Sequence, residues 1–222
     1  MTNPLKNKNL VRSARYAVLL AVLGCGSKKS NQNPTPEPTA PLPTAGLAGQ
    51  RVALTPLALV AAEDTIHLDA LVADRRTTLD KCDSIIATFL TARAPEVTWV
   101  APAELRHVAR RAPGIAADPD QMGTPFLRAS NVIEVPDPLR YQLRTLMGLV
   151  GGRYVLVPAG LVFRKPAVGP SGRQAAVSAE LSVVMIDSRI GRVGFRTIAR
   201  GEGEDPWTAL TRAVKSLTPG LP

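Results

Sequence analysis

Apolar and polar residues alternate from 175 to 187 and again from 193 to 199, with Gly191 between the two runs. Alternation with period two places one set of side chains on one face of a strand. Leu181, Val183 and Met185 make that face on the first run, and Val193, Phe195, Thr197 and Ala199 on the second. Gly191 suits the left-handed position of a three-residue turn with a bulge. The two runs predict an antiparallel hairpin, and burying both apolar faces together fixes its parity. Placing Ser188 opposite Arg192 sets Met185 beside Phe195 and Glu180 beside Arg200.

The rest of residues 50–222 reads as one domain around that hairpin. Residues 51–59 form the leading strand candidate, and 60–74 carry no clear pattern. Residues 75–91 read as a helix with Leu79, Cys82, Ile86, Phe89 and Leu90 on one side. A short strand at 96–100 and a short helix at 102–111 follow, the helix closed by Pro113-Gly114. Residues 113–136 are rich in loop formers, with room for one small element. Asp137 is the expected cap and Pro138 the first-turn residue of a helix with the stripe Leu139, Leu143, Leu146, Met147 and Val150. Gly151-Gly152 ends it. Residues 153–163 read as a strand in which Pro158 lacks an amide hydrogen, so that it lies at an edge there or bends. Asp205 and Pro206 open a last helix with Trp207, Leu210, Val214 and Leu217 on one side. This order predicts an α/β (α+β) domain, a mixed sheet packed by helices.

Ahead of residue 50 the composition changes. Lys6, Lys8, Arg12 and Arg15 precede an apolar run over 16–23, then Gly24 and Cys25. That is a positive region, an apolar region and a small-residue cleavage site. The apolar run of about eight residues falls well short of the roughly 20 that cross a bilayer. Val22-Leu23-Gly24-Cys25 reads as a lipobox. Residues 1–24 are thus the expected lipoprotein signal peptide and Cys25 the expected lipidation site, anchoring the chain to the membrane at about 0.8 kcal/mol per buried methylene. The competing readings are an ordinary secretory signal, a short uncleaved anchor and a misplaced start. Gly26, in place of Asp, favours the outer membrane of a diderm cell, facing the periplasm. Residues 25–49 then read as the lipidated cysteine and a disordered linker punctuated by Pro34, Pro36, Pro38, Pro41 and Pro43. Its reach in polyproline II is roughly 75 Å.

The chain has 27 Lys+Arg and 18 Asp+Glu, a formal +9. Removing residues 1–24, with four bases and no acid, leaves 23 against 18, or +5. So mild an excess suits anionic envelope polymers or lipid surfaces. It does not argue for nucleic acid, and 4% aromatic residues provide few stacking platforms. With Cys25 lipidated, Cys82 has no disulfide partner and reads as a small buried hydrophobe.

The opening strand with Pro56, the strand over 152–160 and the hairpin over 180–203 with its following helix resemble one group of bacterial envelope lipoproteins. The group contains the curli-secretion lipoprotein and the lipoprotein activators of penicillin-binding proteins. The segment ELSVVMIDSRIGRVGFRTIARGEG resembles their strand, D-x-R-x-G, strand unit at Asp187, Arg189 and Gly191. The resemblance covers residues 50–218. It implies a small α/β domain behind a signal peptide and a role in assembling or regulating envelope machinery. Residues 113–136 are additional to the pattern, and a pair of amphipathic membrane hairpins is missing from it, which counts against pore formation.

No catalytic, cofactor or metal motif stands out. His67 and His107 are the only histidines. Glu63, Asp64, His67 and Asp69 cluster, but at no metal-motif spacing, and read as a solvated turn. Gly169-Pro170-Ser171-Gly172 lacks the spacing of a nucleophile elbow, and no phosphate-cradling glycine motif occurs. Arg106, Arg110 and Arg111 crowd the short helix beside His107. Arg192, Arg196 and Arg200 recur at strand period opposite Phe195 and are the candidate partner-binding residues. Against that stands a solvated face with local pairs, such as Glu180 with Arg200. The expectation is a non-enzymatic, membrane-anchored lipoprotein whose periplasmic α/β domain binds an envelope protein or anionic polymer. The alternatives are a periplasmic hydrolase or metal-dependent enzyme, needing a histidine beside carboxylates in a cleft, and an oligomeric secretion or scaffold ring.

Overall fold

In the computed structural model, which describes residues 38–66, 68, 71, 73–166 and 176–219, the chain forms a mixed six-stranded sheet with helices on both faces. The described residues fall in one unit, Pro38–Pro222. In chain order the elements are α1 (Thr44–Leu47), β1 (Arg51–Leu54), β2 (Val60–Ala62), α2 (Arg75–Arg93), β3 (Thr98–Val100), α3 (Pro102–Arg111), α4 (Leu139–Val150), β4 (Tyr154–Arg164), β5 (Val177–Asp187), β6 (Arg192–Gly203) and α5 (Pro206–Ser216). The sheet order is β3-β1-β4-β5-β6, with β2 also on β4. β1 lies parallel to β3 and β4, β2 lies parallel to the far half of β4, and β4, β5 and β6 are antiparallel. None of the described helices is long and apolar enough to cross a membrane.

The leading strand is split. Pro56 has no amide hydrogen for a ladder, and the Leu57 amide donates instead to Asp83 Oδ1 at 2.8 Å. Pairing resumes at Val60, opposite Leu161. On one face of the sheet, Leu156, Leu161, Phe163, Leu181, Val183 and Ala199 pack with Cys82, Ile86 and Leu90 of α2 and Leu210 and Val214 of α5. On the other, Ala53, Val155, Val157, Val184 and Ile186 pack with Leu105 of α3 and Leu143, Leu146 and Met147 of α4.

Pro158 sits in a central strand. A bulge between Pro158 and Gly160 absorbs its missing donor and leaves Ala159 unpaired with β5. The bulge also reverses parity. Leu156 before it and Leu161 and Phe163 after it all face α2 and α5. The hairpin pairs Met185 with Phe195 and Glu180 with Arg200, as its parity predicts. Nearer the turn a second irregularity puts Asp187, rather than Ser188, opposite Arg192. Ser188 is engaged elsewhere, its amide and hydroxyl both donating to the Arg153 carbonyl at 3.0 and 2.7 Å.

Gly151 closes α4 at φ 75 and bonds the Met147 carbonyl. Asp137 does not cap it; Pro138 holds the cap position and no side chain bonds there. Asp205 does cap α5, accepting from the amides of Trp207 and Thr208 at 2.9 and 3.1 Å. Residues 113–136 carry two 3-10 turns, Pro119–Gln121 and Thr124–Arg128.

Residues 38–49, read from sequence as the end of the linker, are packed. Leu42 and Leu47 are buried in the core beside α2 and α5, and each such burial contributes about 1.5–3 kcal/mol. The Leu42 amide donates to the Leu217 carbonyl at 2.8 Å. Thr39 Oγ1 donates to the Ile198 carbonyl and accepts from the Arg200 amide, each at 3.1 Å, against the outer edge of β6. The predicted signal peptide, Cys25, Pro34 and Pro36 lie outside the described residues.

Candidate functional site

Arg192, Arg196 and Arg200 do not form one patch. Val193 packs toward α4 and Phe195 toward α2 and α5, so the extra residue at Gly194 reverses parity and turns Arg192 to the opposite face from Arg196. Arg196 is committed to the protein itself. Its guanidinium donates to the carbonyls of Leu127 and Val132 at 2.6 and 2.7 Å and also to that of Ala129, pinning the 127–132 loop against the sheet. Burial lowers its pKa. Arg200 pairs with Glu180 at 3.3 Å, and Glu180 also takes Arg164 at 3.0 Å. Arg192 is exposed beside the turn.

A different set of arginines converges at the turn end of the sheet. Arg51 at the start of β1, Arg144 on α4, Arg153 before β4 and Arg189 in the hairpin turn line a cleft of about 510 Å³, together with Gln50, Met147, Gly148, Gly151, Gly152 and Ser188. No Asp or Glu lines it. Arg51 donates to the Val150 carbonyl at 2.8 Å, capping the α4 C-terminus. Arg153 Nε donates to Asp187 Oδ2 at 2.8 Å, and the Arg189 amide donates to Oδ1 at 3.0 Å. The hydrogen bond that Arg153 donates to Asp187 raises the Arg153 pKa. Burial works against the charge on Asp187, but the bond from Arg153 outweighs it and holds that carboxyl below its usual range. Among the described residues the guanidinium groups of Arg144 and Arg189 have no acceptor. Arg140 lies alongside; its side chain packs over Gly191, where a Cβ would collide with it and where φ is 69.

These four arginines come from four separate elements, so no spacing announced them. The signal that was present is the D-x-R-x-G unit. Its Asp187 orients Arg153, its Arg189 lines the cleft, and its Gly191 makes the turn.

Elsewhere the arrangement is structural. Arg106, read as part of a basic cluster on α3, turns inward. Its Nη2 donates to Asp83 Oδ2 at 2.6 Å and Asp120 Oδ1 at 2.7 Å. Burial pushes Asp83 up to about 6, with the Leu57 amide and Arg106 pulling the other way. Burial also opposes the charge on Asp120, but Arg106 outweighs it and lowers that pKa. The network ties α2, α3, the Pro119–Gln121 turn and the break after β1 together. Cys82 is fully buried, and burial pushes its thiol up to about 12, which leaves almost no thiolate at neutral pH. His107 is exposed on α3 and does not line the arginine cleft. His67, Asp69 and residues 169–172 lie outside the described residues. Among those described, no three His, Cys, Asp or Glu are grouped to hold a metal ion.

No protein-family model matches the chain, and no curated protein does. Among solved structures it is similar to the PelC dodecamer from Paraburkholderia phytofirmans, at 13% identity over 82% of this chain and 94% of that one, with a TM-score of 0.35. It is also similar to the LpoB C-terminal domain from Salmonella enterica, at 11% identity over 69% and 82%, with a TM-score of 0.34. Lipoprotein GNA1162 from Neisseria meningitidis matches at 11% identity over 69% and 80%, with a TM-score of 0.32. Of these three, GNA1162 is described as a lipoprotein.

Proposed function

We propose that the chain is an envelope lipoprotein, anchored through Cys25, whose α+β unit binds an acidic partner at the arginine cleft and performs no catalysis. The observation that carries this reading is the composition of the cleft wall. Four guanidinium groups line it without a carboxylate, and two of them have no acceptor among the described residues. An acidic surface or polymer supplies the missing acceptors through charge-assisted forked bonds, stronger than neutral ones. The net positive field of the grouped guanidinium groups, with Arg153 offset by Asp187, also speeds encounter with such a partner in a salt-dependent way. The lipobox and Gly26 support an outer-membrane position facing the periplasm in a diderm cell.

Two measurements on the full-length chain in cells test this. Labelling with a radioactive fatty acid should mark the wild type and not Cys25→Ala; equal labelling removes the anchor. Cross-linking followed by identification should capture an acidic envelope component with the wild type. Arg144→Glu with Arg189→Glu should lose it while the protein remains at normal abundance. Undiminished capture removes the cleft from the reading.

A further inference from the structure

Gly148 narrows the chemistry of that partner, on the reading that the cleft is the binding site. It lies inside α4, where glycine costs about 1 kcal/mol relative to alanine. The usual reasons for such a residue are absent. Its φ is not positive, and a Cβ built there would meet nothing within 4 Å. Gly152 just beyond the helix differs, since a Cβ there would lie 2.9 Å from the Arg51 carbonyl oxygen. Gly148 lines the cleft beside Arg144 and Arg189.

We propose that the missing side chain lets a thin, flexible polyanion lie against α4, its repeated phosphate or carboxylate groups taken by Arg144 and Arg189. Arg51, held by the Val150 carbonyl, adds a fixed positive charge on one side, and Arg153, paired with Asp187, fixes the wall on the other. Guanidinium forks match both oxyanions in two-point fashion. A linear chain fits better than a folded protein surface. The rim arginines alone would satisfy a convex acidic surface, whereas only a strand entering the cleft of about 510 Å³ needs the wall cleared at Gly148. Met147 is the single large apolar residue on the lining, which gives an acyl chain little to bury against.

The test uses the full-length chain in uncharged detergent. The probes are long-chain polyphosphate and polygalacturonate, with neutral dextran and phosphatidylglycerol vesicles beside them. Wild type should bind one or both polyanions, the preferred one naming the source of the oxyanion, and should ignore dextran. Binding should weaken sharply from about 50 to about 200 mM salt, as displacement of counterions requires. Arg144→Gln with Arg189→Gln should weaken it by about tenfold or more, and Gly148→Glu by as much, an interaction loss of about 1.4 kcal/mol or more. Gly148→Glu should melt no lower than wild type, because glutamate is the better helix former and its Cβ has room. Wild type that binds neither polyanion, or Gly148→Glu that binds as wild type does, overturns the inference, as does binding to vesicles alone. If cellular capture still depends on Arg144 and Arg189 in that event, the partner is an acidic protein and the broader reading stands. If capture is also insensitive, both fall.

Discussion

The junction of α2 and α3 and the turn end of the sheet both gather arginine, with opposite outcomes. At the junction, the side chain of Arg106 is 14% exposed and meets Asp83 and Asp120 within 2.7 Å. At the turn end four arginines line one cleft with no acid on its wall. Glycine divides in the same way. Gly201 on β6 faces the backbone of Ala209 and Ala213 in α5 so closely that a Cβ would collide with both. Gly148 faces nothing. A charge taken from water must find its counter-charge within the fold, because an unpaired one costs several kcal/mol. A charge left in water carries no such obligation. The first region is therefore explained by folding alone, and the second has features that folding does not require.

Substitutions put that contrast to the test. The largest effect is expected from Arg106→Ala, which strands the buried Asp83 carboxylate and should cost about 3 kcal/mol in urea unfolding; a loss no larger than at an exposed arginine would erase the distinction. Gly201→Ala should follow at about 2 kcal/mol, since neither strand nor helix backbone can give way cheaply. Asp205→Ala removes the α5 cap and should cost about 1 kcal/mol, a melting shift of about 2–4 °C for a chain of this size.

Acidity should separate the regions further. Asp83, raised to about 6, binds more protons folded than unfolded, so its contribution is fully present at low pH and lost as pH rises through about 6. Lowering pH from about 7 to about 5 should then add about 1 kcal/mol, a gain absent in Asp83→Asn. Asp120, Asp187 and Asp205 are held low, and their contributions disappear only as pH falls below about 4. The smallest effect belongs to the cleft. Arg144→Ala should change stability by less than about 0.5 kcal/mol in either direction, and a larger loss would mark that arginine as structural after all.

The fold was largely legible in the sequence because its elements announce themselves locally. The stripe ending at Gly151, the Asp205-Pro206 start and the Met185–Phe195 pairing all follow from spacing and caps. Bulges were less visible. The one at Pro158 was offered only as one of two choices, and the one at Gly194 was missed, which misplaced Val193 and Arg192 by a face. The packing of Leu42 and Leu47 was masked by the prolines around them. Arg106 and Arg196 look like surface cations in sequence because their partners, Asp83, Asp120 and three loop carbonyls, lie 14 to 69 residues away along the chain. The cleft was invisible for the same reason, apart from the Asp187-Ser188-Arg189 trace it leaves in the turn.

The docking of Thr39 and Leu42 changes how far this body can wander. Twelve residues separate Cys25 from Pro38 in the sequence, and covalent geometry limits their span to at most roughly 45 Å. Anchored at Cys25, as proposed, the body would stand off the bilayer by no more than that length, less than the roughly 75 Å read from composition.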